Sequence, residues 1–283
     1  MSESDARAAS RTAEMVLAFR ARAHASWPSL CDDAWAARLA TDEGYALADA
    51  YEAAFRHMAL WIAVRTGFFD RCLDRLLGRE GVDQLVVLGA GFDTRAARFA
   101  RPGLTTFDVD HPASLQARHR RMAGVPGLDP LPSVRVACDF ERDSMTRSLL
   151  DAGFDPSRPA AVLWEGVSYY LPEPTVRAAL SEIRSWLVPG SELLMDHLRR
   201  RIVTGEADDA TRRSRDILAE AGEPLRWGTD DVLPVLVGAG FGWARSASFE
   251  EACLALTGTW ERERQFRFQG LVRARLVAPA EPV

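Results

Sequence analysis

The sequence predicts one α/β domain in which helices cover both faces of a mostly parallel sheet. From Val82 onward, short apolar runs alternate with helical stretches, whereas the residues before Val82 are predicted to be helical throughout. Hydrophobic residues make up 47% of the chain and charged residues 27%, which is typical of a globular protein. We therefore expect a helical N-terminal cap over residues 1–80 and an α/β core over residues 81–283.

The predicted cap rests on helical periodicity. Between residues 53 and 77, apolar side chains recur at every third or fourth position, which places them on one face of a helix. Residues that disfavour helix interrupt the pattern near Trp27-Pro28 and near Thr41. We therefore expect several helices with breaks at these two points.

Seven apolar runs in the rest of the chain are predicted to be strands. They span residues 84–89, 104–109, 133–138, 160–164, 192–195, 244–249 and 266–277. Predicted helices begin near residues 93, 112 and 173, and a charged stretch near 198–228 is expected to form a helical insertion. Strands that alternate with helices at this spacing favour a parallel sheet of seven strands.

Composition excludes several classes of protein. The net charge of -5 offers no general attraction to a phosphate backbone, so nucleic acid is not an expected partner. The chain contains no lysine, which excludes lysine Schiff-base chemistry and the Walker A phosphate loop. The four cysteines are far apart, and no cluster has the spacing of metal ligands, so no metal is expected. No apolar run approaches the roughly 18 residues that span a bilayer, and we expect a cytoplasmic protein without membrane attachment.

The loop after the first predicted strand contains two glycines, Gly89 and Gly91. Glycines at a strand-to-helix turn let the backbone approach a ligand closely, and the N-terminus of the next helix favours negative charge. A dinucleotide-binding fingerprint would need a third glycine or an alanine where Thr94 stands, which disfavours a nicotinamide cofactor. A turn that binds no ligand is the alternative interpretation.

Acidic and aromatic residues follow the next three predicted strands. Asp110 follows the second, where a carboxylate can accept hydrogen bonds from both ribose hydroxyls of a nucleoside, although it can also cap the next helix. Asp139 and Phe140 follow the third, and such a pair can bind an adenine amino group and cover the base. Glu165 and Tyr170 follow the fourth, at the sheet edge where such folds bind ligands.

Five motifs, in this order, resemble those of the leucine carboxyl methyltransferase family, including its bacterial members linked to natural products. They are Leu88-Gly89-Ala90-Gly91, Asp93-Thr94-Arg95, Val109-Asp110-His111-Pro112, residues 139–143 and residues 165–171. The resemblance covers about residues 54–197. It implies a Rossmann-like class I methyltransferase fold with S-adenosylmethionine as the cofactor.

The resemblance also implies a set of residues that bind this cofactor: Arg65, Gly89, Gly91, Asp110, Asp139, Phe140 and Glu165. In isolation Arg65 would be interpreted as a solvated helix residue, but in the family it clamps the methionine carboxylate through its guanidinium fork. Glu165 would take the methionine ammonium. The eukaryotic member that acts on protein phosphatase uses a lysine that this chain lacks, and Arg20 or Arg22 is the candidate replacement.

The resemblance implies an O-methyltransferase that esterifies a carboxylate of a small-molecule or peptide natural product. A carboxylate is already ionised at neutral pH and needs no general base. A phenol or other hydroxyl, the alternative acceptor, needs one, and the candidate catalytic residues are Tyr170, His111 and His197. Two further alternatives are a nicotinamide-dependent oxidoreductase and a protein that binds S-adenosylmethionine without transferring its methyl group.

Overall fold

The computed structural model describes residues 10–206, 208–259, 267 and 269–276. Its N-terminal part consists of helices α1 (Arg11–Ser26), α2 (Ala36–Leu39), α3 (Asp42–Ala54) and α4 (Met58–Leu73), and a π-helical turn (Asp74–Arg79) extends α4. The two predicted breaks fall where α1 ends and where α3 begins. A third break, between α3 and α4, was not predicted. There His57 has a left-handed backbone (φ 66°), and the Glu52 carboxylate accepts hydrogen bonds from two backbone N–H groups, those of His57 and Met58.

Strands and helices alternate in the rest of the described chain. In order they are β1 (Gln84–Leu88), α5 (Arg95–Arg98), β2 (Thr105–Asp110), α6 (Pro112–Met122), β3 (Val134–Ala137), α7 (Met145–Asp151), β4 (Ala161–Trp164), α8 (Glu173–Trp186), β5 (Glu192–Leu198), α9 (Arg200–Thr204), α10 (Asp209–Glu220), α11 (Leu233–Gly238), β6 (Trp243–Ala247), α12 (Phe249–Thr257) and β7 (Gln269–Arg275). Helices α9 and α10 form the predicted helical insertion. Helices α7 and α12 were not predicted, although each begins at a serine that caps it. Residues 266, 268 and 277 of the last predicted strand lie outside the described residues.

The seven strands form one sheet in the order β3-β2-β1-β4-β5-β7-β6. All neighbouring strands pair in parallel except β7, which runs antiparallel to both β5 and β6. This architecture confirms the predicted Rossmann-like fold with a mostly parallel seven-stranded sheet. The chain leaves β1 for β2 on one side and returns to β4 on the other, and such a reversal opens a crevice at the carboxyl ends of the strands.

Successive residues of the strands contribute to two hydrophobic cores, one on each face of the sheet. Leu85 and Val87 of β1 pack in the core that α1, α4 and α12 cover, whereas Val86 and Leu88 pack in the core covered by α7, α8 and α11. All five residues of β1 are buried, as expected of a central strand with helices on both faces. The rigid sheet therefore fixes the positions of the loops that follow its strands.

Helix α1 packs against α2, α3 and α4, and it also reaches the crevice of the sheet. The core that contains Phe19 of α1 and Trp61 of α4 also contains Leu85 of β1. The N-terminal helices and the sheet thus share one core, and the predicted boundary at residue 80 stays a prediction. Among the described residues, no helix has the length and apolar character needed to cross a membrane.

Candidate functional site

A cavity of about 780 Å³ lies at the carboxyl ends of β1 to β4, where the loops of neighbouring parallel strands meet. We call it the crevice cavity; its volume is within the usual range for a small-molecule site. Helix α1 and residues 221–226 complete its walls. The predicted site residues that line it are Arg65, Gly89, Gly91, Asp110, His111, Asp139, Phe140, Glu165 and Tyr170. His197 does not line it.

The glycine turn after β1 forms the floor of the crevice cavity. Gly89 (φ 67°) and Gly91 (φ 44°) both adopt left-handed backbone conformations, which favour glycine. A Cβ atom at Gly89 would come closer than 3.0 Å to the Val167 side chain, whereas one at Gly91 would meet Ala13 at an ordinary 3.6 Å. Both positions favour glycine because of their left-handed backbone, but only at Gly89 would a side chain also clash with its surroundings.

This difference predicts unequal effects of two alanine substitutions. Gly89→Ala adds a steric clash, which typically costs about 1 to 3 kcal/mol, to the cost of about 1 to 2 kcal/mol for the left-handed backbone. Gly91→Ala carries the backbone cost alone. We expect Gly89→Ala to lower the melting temperature clearly more than Gly91→Ala does, as measured by thermal denaturation. Equal melting temperatures would contradict this account of the turn.

Asp110 at the end of β2 holds the glycine turn in place. Its two carboxylate oxygens accept hydrogen bonds from the backbone N–H groups of Gly91 (2.8 Å) and His111 (2.7 Å). Burial raises the pKa of Asp110, and these hydrogen bonds only partly offset the effect. Asp108, on the same face of the strand, is instead occupied by a buried ion pair with Arg118 at 3.0 Å. Of the two aspartates, Asp110 lines the cavity and can accept bonds from a ribose.

Asp139 and Phe140 follow β3 and line the same cavity. One oxygen of Asp139 accepts a hydrogen bond from the backbone N–H of Glu141 at 3.0 Å, and its side chain is 27% exposed. Phe140 packs at the edge of the second core. Glu141 forms an ion pair at 3.2 Å with Arg226 of the segment 221–226. At this point the cavity is therefore lined by a carboxylate and an aromatic ring.

Glu165, which directly follows β4, lies among three buried arginines. Arg95 lies 2.8 Å from one of its oxygens, and Arg65 (2.9 Å) and Arg20 (3.5 Å) lie near the other. Burial alone would raise the pKa of Glu165, but the three arginines, Arg95 foremost, lower it below the ordinary value. Glu165 is therefore ionised at neutral pH despite its burial.

Further carboxylates balance the charge of these arginines. Asp93 pairs with both Arg20 (2.9 Å) and Arg95 (2.5 Å). Asp196 pairs with Arg65 (3.0 Å), and Asp70 is a second partner of Arg95 (2.6 Å). Asp70 and Asp196 were not predicted as site residues, because they are distant in sequence from the motifs. Of the two candidate replacements for the missing lysine, Arg20 lines the cavity, whereas Arg22 pairs with the exposed Asp49 outside it.

Two of the candidate catalytic residues line the cavity. The Nδ1 atom of His111 accepts a hydrogen bond from the backbone N–H of Ala113 at 3.2 Å, so His111 rather than Asp110 caps α6. A neutral imidazole that accepts at Nδ1 carries its proton on Nε2 and has no second acceptor to offer. Tyr170 is half-buried, and desolvation together with the neighbouring Tyr169 raises its pKa far above the ordinary value. The acceptor nitrogen of His111 is thus already occupied, and Tyr170 keeps its proton at neutral pH.

The third candidate catalytic residue, His197, lies outside the lining of the crevice cavity. Strand β5 extends three residues beyond its predicted end and includes His197, which is buried between β5 and β7. Its Nε2 atom lies 3.4 Å from the Ser246 hydroxyl, and burial lowers its pKa to about 4. His197 lies in the sheet and does not line the crevice cavity, which disfavours it as the base.

Unsatisfied polar atoms show how the crevice cavity fits S-adenosylmethionine. Both carboxylate oxygens of Glu165, Nε of Arg65 and Nε of Arg20 belong to residues that line the cavity, and they are buried without an aligned hydrogen-bond partner among the described residues. Buried groups of this kind normally have partners, and an unpaired one costs free energy. An ammonium group and a carboxylate, as at the methionine end of the cofactor, match an acidic side chain surrounded by arginines.

Comparison with known proteins agrees with this geometry. The family model for leucine carboxyl methyltransferase matches residues 13–184. A Mycolicibacterium smegmatis protein assigned as an S-adenosyl-L-methionine-dependent methyltransferase is 35% identical over 226 residues, which are 76% of this chain and 74% of that protein. A relative from Mycolicibacterium vanbaalenii with the same assignment is 32% identical over 81% of this chain and 77% of its own length.

Two solved structures share the fold. A DUF574 family protein from Streptomyces avermitilis superposes with a TM-score of 0.62 at 16% identity, over 84% of this chain and 92% of that one. A Thermobifida fusca protein assigned as a methyltransferase superposes with a TM-score of 0.61 at 20% identity, over 84% and 90% of the two chains. From the family match and the relatives together, we conclude that the chain belongs to the leucine carboxyl methyltransferase family and is an S-adenosylmethionine-dependent methyltransferase.

Proposed function

We propose that the protein transfers a methyl group to a carboxylate of a small-molecule or peptide natural product and so forms a methyl ester. The proposal rests on one observation: the histidine and the phenol that we considered as bases in the crevice cavity are not placed to accept a proton. His111 caps α6 with its acceptor nitrogen, and Tyr170 keeps its proton because its pKa is raised. A carboxylate acceptor needs no base, since its pKa near 4 leaves it ionised at neutral pH.

The residues around the cavity take distinct proposed roles toward the cofactor. Asp110 accepts bonds from the ribose, Asp139 binds the adenine amino group beside Phe140, and Glu165 and Arg65 take the ammonium and the carboxylate of the methionine. When bound, S-adenosylmethionine supplies an electrophilic methyl group. The protein then has to align the acceptor with that group and exclude water, and alignment of this kind can contribute about 7 to 11 kcal/mol.

Two arginines support an anionic acceptor. Arg11 at the start of α1 and Arg226 both line the cavity, and their side chains are 47% and 45% exposed. Guanidinium groups at the mouth of a cavity attract carboxylates and can bind them through paired hydrogen bonds. Arg11 pairs with Glu43 (3.6 Å) and Arg226 with Glu141 (3.2 Å), and because these glutamates are exposed, an entering carboxylate can take their place.

The proposal predicts a flat pH profile. We expect the rate of methyl transfer at saturating substrates to change little between about pH 6 and 9, because the acceptor is ionised throughout and no enzyme base has to lose a proton. Initial rates of S-adenosylhomocysteine formation across this range test the prediction. A rate that rises steadily with pH would contradict it.

A hydroxyl acceptor is the second candidate, because the cavity contains a carboxylate that could act as the base for it. This residue, Glu223, was not predicted from the sequence. Glu223 lines the cavity and accepts hydrogen bonds from Ser10 (2.8 Å) and from the backbone of Thr12 (3.2 Å). As the base for a hydroxyl acceptor, Glu223 would be essential. Glu223→Gln therefore distinguishes the candidates: a carboxylate acceptor predicts that most activity remains, and a hydroxyl acceptor predicts its loss.

A further inference from the structure

We propose that a second cavity, remote from the cofactor, binds a phosphate-bearing ligand. This arginine cavity has a volume of about 660 Å³ and lies between α4 with its π-helical turn, strands β6 and β7, and α12. It shares no described lining residue with the crevice cavity. It lies near Glu192, the first residue of β5, whereas the crevice cavity lies at the opposite, carboxyl end of the parallel strands. A ligand here would occupy a site that the proposed methyl transfer does not use.

The walls of this cavity carry an excess of positive charge. Two carboxylates, Asp74 and Glu251, accompany five arginines: Arg71, Arg75, Arg79, Arg245 and Arg273. The formal charge of the walls, five minus two, is therefore +3, in a chain whose net charge is -5. Such a concentration of one sign of charge in a cavity attracts anions.

The neighbouring carboxylates do not neutralise this excess. Glu192 is fully buried and is already shared by Arg75 (2.8 Å) and Arg273 (2.5 Å), together with Arg275, and Glu80 pairs with Arg75 alone. Arg79 and Arg245 have no carboxylate within 4.0 Å in the part of the chain that the structure describes. At least two guanidinium groups of the arginine cavity are therefore available to a ligand.

The strand register adds a second, independent observation. Arg245 of β6 lies directly opposite Arg273 of β7 in the antiparallel ladder. Like charges at such directly opposed positions destabilise a sheet. Of these two arginines, only Arg273 has its charge balanced by Glu192, which does not contact Arg245. An anion held between the two arginines would relieve the repulsion.

The lining indicates which anion fits. Guanidinium forks match the oxygens of phosphate and bind them through paired hydrogen bonds. The remaining wall is apolar and includes Phe68, Cys72, Ala247 and Leu256. The ligand is therefore expected to combine a phosphate group with an apolar body, as a phosphorylated metabolite or a phospholipid headgroup region does.

Calorimetry with phenyl phosphate as the probe tests the proposal on the full chain. We expect the wild type to bind with a Kd below about 1 mM. The double variant Arg79→Gln/Arg245→Gln should bind at least tenfold more weakly. The matched control is Arg147→Gln, an arginine of α7 whose side chain is 81% exposed, and it should bind like the wild type. Absence of binding to the wild type at about 10 mM, or equal affinity in the double variant, would overturn the proposal.

Two further measurements are needed. One shows whether the ligand is a lipid or a soluble metabolite, and the other shows whether Arg79 and Arg245 stabilise the fold. Sedimentation with phosphatidic acid vesicles identifies a lipid source if the wild type, but not the double variant, sediments; if neither sediments while phenyl phosphate binds, the ligand is a soluble metabolite. Because Arg79 and Arg245 have no carboxylate partner among the described residues, the double variant should melt no lower than the wild type without ligand. A lower melting temperature would give these arginines a structural role and contradict the proposal.

Discussion

Replacement of Asp110 by asparagine is expected to weaken the binding of S-adenosylmethionine by at least about 100-fold. Hydrogen bonds to a charged group contribute about 1.5 to 3 kcal/mol each, and the proposed ribose contact uses two of them. The same substitution should move the melting temperature by no more than about 4 °C, roughly 1 kcal/mol for a chain of this size. Asparagine keeps only one of the two acceptor oxygens that hold the glycine turn, and removal of a half-buried charge whose pKa is raised offsets the loss of the other, because such a charge opposes folding at neutral pH.

Titration calorimetry and thermal denaturation of the Asp110→Asn variant measure both quantities. Asp151→Asn is the matched control, since Asp151 on α7 has a side chain 73% exposed and lies outside the cavity. It should bind the cofactor like the wild type. Cofactor affinity unchanged in Asp110→Asn would remove Asp110 from the binding site, and a collapse of its melting temperature would show that the residue is structural.

Replacement of Glu165 by glutamine is expected to affect both cofactor binding and folding. The substitution removes the carboxylate shared by Arg20, Arg65 and Arg95, and breaking a buried ion pair typically costs about 3 to 5 kcal/mol. For a chain of this size such a cost lowers the melting temperature by roughly 10 °C. The cofactor also loses the partner of its ammonium group.

Glu165→Asp separates these two effects. Aspartate keeps the negative charge among the arginines but shortens the side chain, so we expect a stable fold with clearly weaker cofactor binding. Unchanged cofactor affinity in Glu165→Asp, as measured by calorimetry, would contradict the proposed contact between Glu165 and the ammonium.

The charge cluster around Glu165 also has a pH signature. The pKa values of Glu165, Asp93 and Asp70 are lowered in the fold, from the ordinary values of 4.5 for glutamate and 3.8 for aspartate. Their stabilising effect is complete above these values and is lost as the pH falls below them toward the folded pKa values. Asp196 opposes this trend because burial raises its pKa, but it is one group against three. Melting temperatures between pH 3 and pH 7 should therefore fall on the acid side, and less steeply in Glu165→Gln.

The fold could be predicted closely because local pattern and tertiary context agree in this chain. The central strands are uninterrupted apolar runs, and α6 spans residues 112–122 as predicted, with a proline at its first position. Prediction failed where the signal was short. The break at His57 depends on a single left-handed residue, and α12 begins at a capping box of Ser248 and Glu251 that lies close after a strand.

The crevice cavity was predictable only where the motifs lie next to the strands. Gly89, Asp110, Asp139 and Glu165 line one cavity because they follow neighbouring parallel strands, which end at the same edge of the sheet. Glu223 lies in a different segment of the chain, and no local pattern marks it. Sequence spacing likewise could not show that His197 belongs to the sheet, because β5 extends further than its apolar run.

The most direct test of the proposed function is the chemical stability of the product. Reaction with methyl-labelled S-adenosylmethionine and a carboxylate-bearing extract, followed by mild alkali, distinguishes an ester from an ether. A methyl ester releases its label as methanol, and the proposed function predicts this release. Label that remains attached to the product through alkaline treatment would contradict a carboxylate acceptor and would leave a hydroxyl acceptor, with Glu223 as the candidate base, as the remaining candidate.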